Sequence, residues 1–536
     1  MAHRILIADP LTKETPELIA ALEAKYPDVR VDRGGPVAQK LLDEAGTLAD
    51  VEGLIVRSRS KVTAKVIANA PRLRVIGRAG IGVDNIDVAE ATKRGTVVMN
   101  TPGGSNVTTA EHTIAMMLAL ARNIPQAVAA VRAGEWPRER WMGTEVCNKV
   151  LGVIGLGNIG SIVAERAVGL RMKVVAYDPF VTAETAARLR VELVSLDDLV
   201  ARADFVTVHV PLIPETRGLL GAELIARLKR GVRIINCARG GIVDEAALVA
   251  ALRDGRVAGA ALDVLVDEPP KPGNPLLALD NVICTPHLGA STDEAQVNVA
   301  RAILDQVAAY LQTGTIQNAV NTPSVSPDVL QVLRPFLELA EKLGALAAQL
   351  LTEPPVAVTV QASGEVAERE IRSITTGVLR GFLAHMLGPA VNFVNAPAIA
   401  RERGIRVIES RTPQASDYLN ALRVEVRTAS RAKTVLAGAV FGAGIVRLTR
   451  INDFRMEAVP EGHILMLHNR DVPGVVGAVG TLLGRRAINI AGIELSREKV
   501  GGMALSLIHV DEPVPPDTLA ALRQLPQIVA AEQLRL

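Results

Sequence analysis

Short apolar runs at Arg4–Ala8, Gly53–Arg57, Leu73–Gly77 and Thr96–Met99 each have the length of a buried strand. Stretches of helical period separate them, Glu17–Lys25 among them, and that alternation predicts a parallel sheet covered by helices. A second series follows. The run Lys149–Ile154 leads into Gly155-Leu156-Gly157-Asn158-Ile159-Gly160, then a helix-compatible stretch Ser161–Leu170, then a strand Lys173–Tyr177 ending at Asp178. Further strands are expected at Phe205–Val210, Val232–Cys237, Gly259–Val264 and Val282–Thr285, with helices such as Gly221–Leu228 and Asp244–Arg253 between them. Ser291–Leu311 reads as a helix, with Ser291 and Glu294 as a capping box.

The pattern then changes. Asn321-Thr322-Pro323-Ser324-Val325-Ser326-Pro327 reads as a linker. Residues 328–455 form an α+β region without a catalytic motif. After Pro460 come a strand at His463–Leu467, a helix ending at Arg486, strands at Ile488–Ser496 and Gly502–Val510, a helix at Pro516–Leu525 and a strand at Ile528–Leu534. That βαββαβ order is ferredoxin-like. The expected fold is α/β: two Rossmann-like, doubly wound parallel-sheet domains, then two smaller α+β domains.

The glycine run carries the first chemistry. Gly155, Gly157 and Gly160 allow a tight turn, close approach of backbone to a pyrophosphate, and close helix–strand packing. The following helix start offers unpaired N–H groups to phosphate. Asp178, about twenty residues on, is placed to accept from ribose hydroxyls. A carboxylate there repels a 2′-phosphate, so NAD is expected over NADP.

Composition narrows the class. A chain of 536 residues exceeds one core and points to three or four domains. The net charge of +2 carries no nucleic-acid or membrane signal. Cys147, Cys237 and Cys284 make no disulfide or metal framework, and Cys237 and Cys284 read as buried filler. No signal-peptide core or spanning apolar run is evident, so a cytoplasmic protein without metal is expected.

Three polar residues end apparent strands: Arg239 in Asn236-Cys237-Ala238-Arg239-Gly240-Gly241, Glu268 in Asp267-Glu268-Pro269, and His287 in Thr285-Pro286-His287-Leu288-Gly289. Ligands of open parallel sheets bind beyond the carboxyl ends of strands, so all three are expected to face one crevice. Alcohol–ketone redox chemistry needs a proton carrier at oxygen, which His287 suits near neutral pH. Glu268 would fix its tautomer, and Arg239 would hold a carboxylate bidentately. Singly, His287 reads as well as a satisfied turn residue, the Asp-Glu-Pro run as a solvated loop, and Arg239 as a helix-capping or phosphate-facing residue.

Together, G-L-G-N-I-G, C-A-R-G-G, D-E-P, T-P-H-L-G-A and G-R-A-G-I-G-V-D-N-I-D (Gly77–Asp87) resemble the D-isomer-specific 2-hydroxyacid dehydrogenases over roughly residues 3–316. The resemblance implies a split substrate domain, residues 1–98 and 290–320, around an NAD domain, 99–289. It maps the catalytic trio onto Arg239, Glu268 and His287. NAD contacts map onto Asn158, Ile159, Asp178, Val210, Cys237, Ala238, Arg239, Asp263, His287, Leu288, Gly289 and Ala290. Some relatives carry Thr where Ile81 stands, so only a backbone contact carries over there. The subset with two further C-terminal domains acts on D-3-phosphoglycerate, at the opening of serine synthesis. Residues 321–455 resemble its allosteric-substrate-binding domain and 461–536 a regulatory ACT domain.

A phosphoglycerate needs several cations. Arg57 and Ser58 are candidates for phosphate, Gly80 and Gly82 for backbone N–H groups to a carboxylate, and Asn100-Thr101-Pro102 for a hinge. Arg138 and Arg140 are further candidates, reaching a partner subunit. An ordinary solvated face is an equal reading for each cation. Resemblance to ACT domains puts a small amino acid, L-serine, against Asn469, Asp471 and Asn489, with His468 a further contact, across a dimer of such domains in a homotetramer. Turn-and-cap roles for Asp471 and Asn489 are the alternative. Two rival functions remain: an enzyme for another 2-hydroxyacid (glycerate, glyoxylate or hydroxypyruvate), which the extra domains and Arg57 disfavour, and an NAD-sensing corepressor, which the ACT-like tail and the cations disfavour.

Overall fold

The structure is a computed structural model describing residues 2–32, 37–324, 327–414, 417–442 and 444–536. Its first sheet holds β1 (His3–Ile7), β2 (Val29–Val31), β3 (Gly53–Val56), β4 (Val75–Arg78) and β5 (Val97–Met99), all parallel, in the order β2-β1-β3-β4-β5. Its second holds β6 (Val150–Ile154), β7 (Lys173–Tyr177), β8 (Glu192–Leu193), β9 (Phe205–Val208), β10 (Val232–Asn236), β11 (Val257–Leu262) and β12 (Val282–Cys284), in the order β12-β11-β10-β9-β6-β7-β8. Every pair is parallel, so both faces are covered and the strands read as continuous apolar runs. The order reverses between β6 and β9, where such sheets take ligands. The two-strand-edge segments β2 and β8 are too short to stand out in the sequence.

Two crossings join these lobes, one at residues 100–105 and one leading into the helix Asp293–Thr313. That helix returns to the first sheet. A β-carbon at Gly77 would lie 2.7 Å from Val307 and 2.8 Å from Ile303, so glycine there lets helix and strand close. In place of the expected capping box there is a simple N-cap one residue on. Ser291 N–H is bound to Leu288 O at 2.8 Å in the preceding turn, and Thr292 Oγ1 instead accepts from Ala295 N at 3.2 Å.

The third sheet is mixed: β13 (Pro355–Gly364), β14 (Arg406–Thr412), β15 (Asn420–Thr428), β16 (Lys433–Phe441), β17 (Ile445–Ile451) and β18 (Phe454–Ala458), in the order β14-β13-β15-β16-β17-β18. Helices Pro327–Gln349 and Ile371–Leu387 pack on it and on each other. The fourth, β19 (His463–Arg470), β20 (Ile490–Arg497), β21 (Met503–Val510) and β22 (Ile528–Arg535), is antiparallel in the order β20-β21-β19-β22. Helices Val475–Arg485 and Pro516–Arg523 complete the βαββαβ unit. Its other face, through Met466, Leu505, Leu507 and Leu534, joins the hydrophobic core of the third sheet.

The tail is docked on the first lobe. Val394 is buried in the core of the first sheet. Asn392 Nδ2 donates to Gly95 O at 2.9 Å. Gly95 has φ +74°, and a β-carbon there would lie 2.2 Å from Asn392 Nδ2. The expected linker begins as a fixed segment: Asn321 Oδ1 accepts from Val98 N at 2.9 Å, and its Nδ2 donates to Thr96 O at 2.9 Å. Val325 and Ser326 of that linker lie outside the described residues. Among the described residues no single helix is long and apolar enough to cross a membrane.

Candidate active site

A cleft of about 860 Å³ opens between the first two sheets. Its floor begins at the glycine loop after β6. Gly155 has φ +92°, and a β-carbon at Gly160 would come within 2.0 Å of Gly155 O. No side chain larger than hydrogen fits there. At Gly157, just before the helix Asn158–Gly169, a β-carbon would meet nothing within 4 Å. The helix start is thus open and backed by a tight turn, which suits the pyrophosphate of a dinucleotide. Asn158, Ile159 and Val210 line the cleft beside it. Asp178 Oδ2 accepts from Leu156 N and Oδ1 from Phe180 N, both at 2.8 Å, which fixes the carboxylate at the end of β7.

The end of β10 presents Arg239. Asn236 shapes that turn: its Oδ1 accepts from Ala238 N at 3.0 Å and its Nδ2 donates to Arg239 O at 2.9 Å. Arg239 Nε donates to Asp84 Oδ2 at 2.9 Å and Nη1 to Ala238 O at 2.6 Å. Cys237 faces inward, its thiol pushed up to about 12 by burial, so it is filler rather than a nucleophile. Cys284 is likewise raised to about 11 by burial.

The ends of β11 and β12 present the other two. His287 Nδ1 and Glu268 Oε2 are 2.8 Å apart, and Glu268 Oε1 accepts from Leu265 N at 3.2 Å. Burial pushes the Glu268 carboxyl up, but its bonds to His287 and Leu265 outweigh that and hold it below the ordinary value. His287 has φ +56°. The loop that holds it in this uncommon conformation is anchored on Asp263, which is 1% exposed. Asp263 O accepts from His287 N at 2.9 Å, Oδ1 from Leu288 N at 2.7 Å, and Oδ2 from Gly289 N at 2.8 Å. Asp263 and Leu288 therefore build the loop under His287, whatever further contact they make.

From the first lobe come Arg57, Ser58, Arg78, Gly80, Ile81, Gly82, Asp84 and Asn100. Arg57 N donates to Asp9 Oδ2 at 2.6 Å, and burial lowers its guanidinium. Gly80 corrects one expectation: its N–H donates to Thr101 Oγ1 at 2.9 Å, so it is spent on the hinge. Both glycines act by leaving room for arginines. A β-carbon at Gly80 would lie 1.5 Å from Arg78 Nη1, and one at Gly82 would lie 1.8 Å from Arg239 Nη2. Asn100 Nδ2 donates to Ile81 O at 2.6 Å, holding the same turn.

The cleft also contains residues the motif reading passed over. Arg78 is lowered to about 10, first by burial and then by the positive charges of Arg239 and Arg57; its Nε is buried with no partner. The signal was present in Gly77-Arg78-Ala79-Gly80, but only the fold turns that side chain toward Arg239. His209, half-buried beside the glycine loop and lowered to about 4 by desolvation, shares a bond with Thr207 Oγ1 at 2.9 Å. Arg138 and Arg140 do not reach the cleft. They are exposed on a neighbouring segment, where Arg140 stacks on Trp141 and lies 3.6 Å from Asp280.

In the last domain the expected effector residues are apart. Asp471 follows β19, where Oδ2 accepts from Gly501 N at 3.0 Å and Arg497 Nη1 at 3.2 Å. Asn489 precedes β20 and donates to Asp511 Oδ2 at 2.8 Å, at the other end of the sheet. Asn469 turns inward, accepting from Ser506 Oγ at 2.8 Å, and His468 packs edge-on against Phe454.

Comparison with known proteins fits this geometry. Residues 114–289 match the family described as D-isomer specific 2-hydroxyacid dehydrogenase, NAD binding domain; 332–452 match the D-3-phosphoglycerate dehydrogenase intervening domain, and 463–527 the ACT domain. The D-3-phosphoglycerate dehydrogenase of Archaeoglobus fulgidus is 44% identical over 99% of this chain and 100% of its own length. That of Bacillus subtilis is 40% identical over 99% of each. The chain belongs to the D-3-phosphoglycerate dehydrogenase family. It is an NAD-dependent enzyme of the 2-hydroxyacid dehydrogenase class. Among solved structures, a glyoxylate reductase from Paecilomyes thermophila matches with TM-score 0.53 and 28% identity, covering 60% of this chain and 98% of that one. A D-lactate dehydrogenase from Aquifex aeolicus, complexed with NAD and lactic acid, matches with TM-score 0.51 and 28% identity over 60% and 100%.

Proposed function

We propose that the chain oxidises D-3-phosphoglycerate to 3-phosphohydroxypyruvate, the first step of L-serine synthesis, in the cytoplasm. One observation carries this reading: Arg57, Arg78 and Arg239 line the same cleft as the His287–Glu268 pair and the open helix start. A three-carbon acid with a phosphate at one end and a carboxylate at the other needs cations at two separated points and a proton carrier between them. Glyoxylate or lactate offers no second anion to Arg57 and Arg78.

NAD, when bound, accepts the hydride from C2 of the substrate. Gly155, Gly157, Asn158, Ile159 and Gly160 would cradle its pyrophosphate, Asp178 its adenosine ribose, and Val210, Ala238 and the loop His287–Ala290 the nicotinamide half, with Ile81 contributing backbone. Arg239 holds the substrate carboxylate and draws charge toward its 2-oxygen. His287 Nε2 takes the proton from the 2-hydroxyl as its C–H bond breaks, and returns it in the reverse direction. Glu268 at Nδ1 keeps the ring in that tautomer and stabilises its charged form. Arg57, Ser58 and Arg78 bind the phosphate. Pivoting about Asn100–Pro102 would bring the lobes together and exclude water.

The test is NADH consumption with 3-phosphohydroxypyruvate beside glyoxylate, hydroxypyruvate and pyruvate. The reading expects a kcat/KM preference for the phosphorylated substrate of at least about a hundredfold, since two extra charge-assisted bonds contribute ~1.5–3 kcal/mol each. Equal rates would assign the enzyme to another 2-hydroxyacid. His287→Ala should cost ~10²–10⁴-fold in kcat while NADH still binds.

The separated effector residues support an inter-subunit site. β20 is an edge strand with Ile493 and Leu495 exposed, a surface that invites a partner strand. Antiparallel pairing of two β20 strands sets Asn489 of one copy beside the Asp471–Arg497 end of the other. L-serine bound there would inhibit, within a homotetramer. Initial rates against serine for wild type, Asp471→Ala and Asn489→Ala decide this; a wild type indifferent to millimolar serine removes it.

A further inference from the structure

We propose that His112 is a positioning residue for the reaction: from the helix that follows one lobe crossing, it fixes the loop that carries His287 on the other. The inference rests on His287 being the proton carrier. His112 Nε2 lies 3.2 Å from Asp263 Oδ1 and 3.3 Å from Thr285 Oγ1. Thr285 in turn donates its hydroxyl to Asp263 Oδ1 at 2.6 Å, which leaves its oxygen to accept from the imidazole. Asp263 thus receives a hydroxyl, two loop amides and an imidazole, while its own carbonyl holds His287 N. A buried carboxylate is costly unless each oxygen is saturated with donors. Two of those donors are the backbone of Leu288 and Gly289, so anything that turns the Asp263 carboxylate turns the segment that sets His287 at φ +56°.

The location gives this polar cluster a second consequence. His112 stands on the helix Asn106–Ala121, whose first turn supplies Ser105, Asn106 and Thr109 to the cleft. Thr109 lies 3.4 Å from where a β-carbon would stand on Gly289, and Thr108 Oγ1 is 3.4 Å from Thr292 Oγ1. The two strands of chain that cross between the lobes are therefore tied side by side, with His112 on one and Asp263 gripping the other. His112 does not line the cleft. Its effect passes through Asp263.

The test compares His112→Leu, which keeps the bulk and loses the N–H, with His112→Gln, whose amide N–H can reach the same acceptors. Misplacing a reacting group by a fraction of an ångström costs on the order of ten- to a hundredfold in rate. His112→Leu should lose that much kcat for phosphohydroxypyruvate reduction, with substrate KM changed by less than about threefold. His112→Gln should recover most of the loss. Amide exchange at Leu288 and Gly289 should quicken in the Leu variant and return toward wild type in the Gln variant; this reading remains available if the Leu variant is too unstable to assay. An unchanged kcat in His112→Leu, or a Gln variant that melts like wild type yet is as slow as the Leu variant, overturns the proposal. His287→Ala run alongside separates the two claims: if it too keeps normal turnover, the role of His287 fails and the inference falls with it.

Discussion

Arg239 Nε donates to Asp84 Oδ2 at 2.9 Å, although the two residues stand on different lobes of the cleft. The pair joins the end of β10 to the turn after β4 and aims the guanidinium at the space above Gly82. Asp84 is well exposed, so the contact orients more than it stabilises. Asp84→Ala should raise the KM for the oxoacid several-fold and leave thermal stability within about 0.5 kcal/mol. Steady-state kinetics and a melting curve check both halves.

Gly82→Ala should act more strongly through the same arginine. The added carbon would overlap Arg239 Nη2, and only displacement of the guanidinium relieves it. Oxoacid kcat/KM should fall by about tenfold or more, with NADH affinity unmoved, since a charge-assisted bond is lost. Titration by NADH fluorescence beside initial rates distinguishes the two.

Arg78→Gln should harm phosphorylated substrate more than unphosphorylated. Burial first, and then the charges of Arg239 and Arg57, lower the wild-type guanidinium, and an anion placed among the three relieves the repulsive part. Substrate should therefore raise the melting temperature of wild type more than that of the variant. An equal thermal shift in both proteins would assign Arg78 to the lobe core.

Asp263→Asn puts an amide where four donors converge. Burial raises the wild-type carboxyl, but bonds from His112, Thr285 and the Leu288 amide outweigh it and hold it below the ordinary value. A carboxylate lowered on folding adds stability that is complete above the unfolded pKa, near ~3.9, and is lost as pH falls through the lower folded value. The variant should be less stable by about 1–3 kcal/mol at pH 7, and the gap should narrow below about pH 4. Denaturant melts at several pH values measure it; a pH-independent gap would contradict the assignment.

Asp178→Ala should weaken NAD and relax selection against NADP. The carboxylate also ties Leu156 N and Phe180 N, so the glycine loop loosens as well. Asp178→Asn, which keeps an acceptor oxygen but no charge, should separate the effects: NAD binding partly retained, NADP no longer repelled. Fluorescence titration with both cofactors reads this.

Much of the catalytic half was legible because its signals are local. A glycine loop needs its glycines in a row, and strand ends announce themselves where an apolar run meets Arg239 or His287. What escaped depends on long-range packing. Arg78 belongs to a quoted motif, but its burial among arginines exists only once β4 lies beside β10's loop. His112 sits within an ordinary amphipathic helix, and nothing in its neighbours in sequence points to Asp263. Asp471 and Asn489, expected across a dimer, stand at opposite ends of one subunit's sheet because β19, β21 and β20 run antiparallel, a separation that their closeness in sequence conceals. The capping box at Ser291 failed by one residue, since Leu288 O had already taken its N–H.

The seam at Gly95, Asn392 and Val394 couples the C-terminal part of the chain to the first lobe. If the cleft shuts about Asn100–Pro102, the whole C-terminal part must swing as ballast with that lobe. Were copies joined through their tails, that load would act as a lever from one cleft to the next.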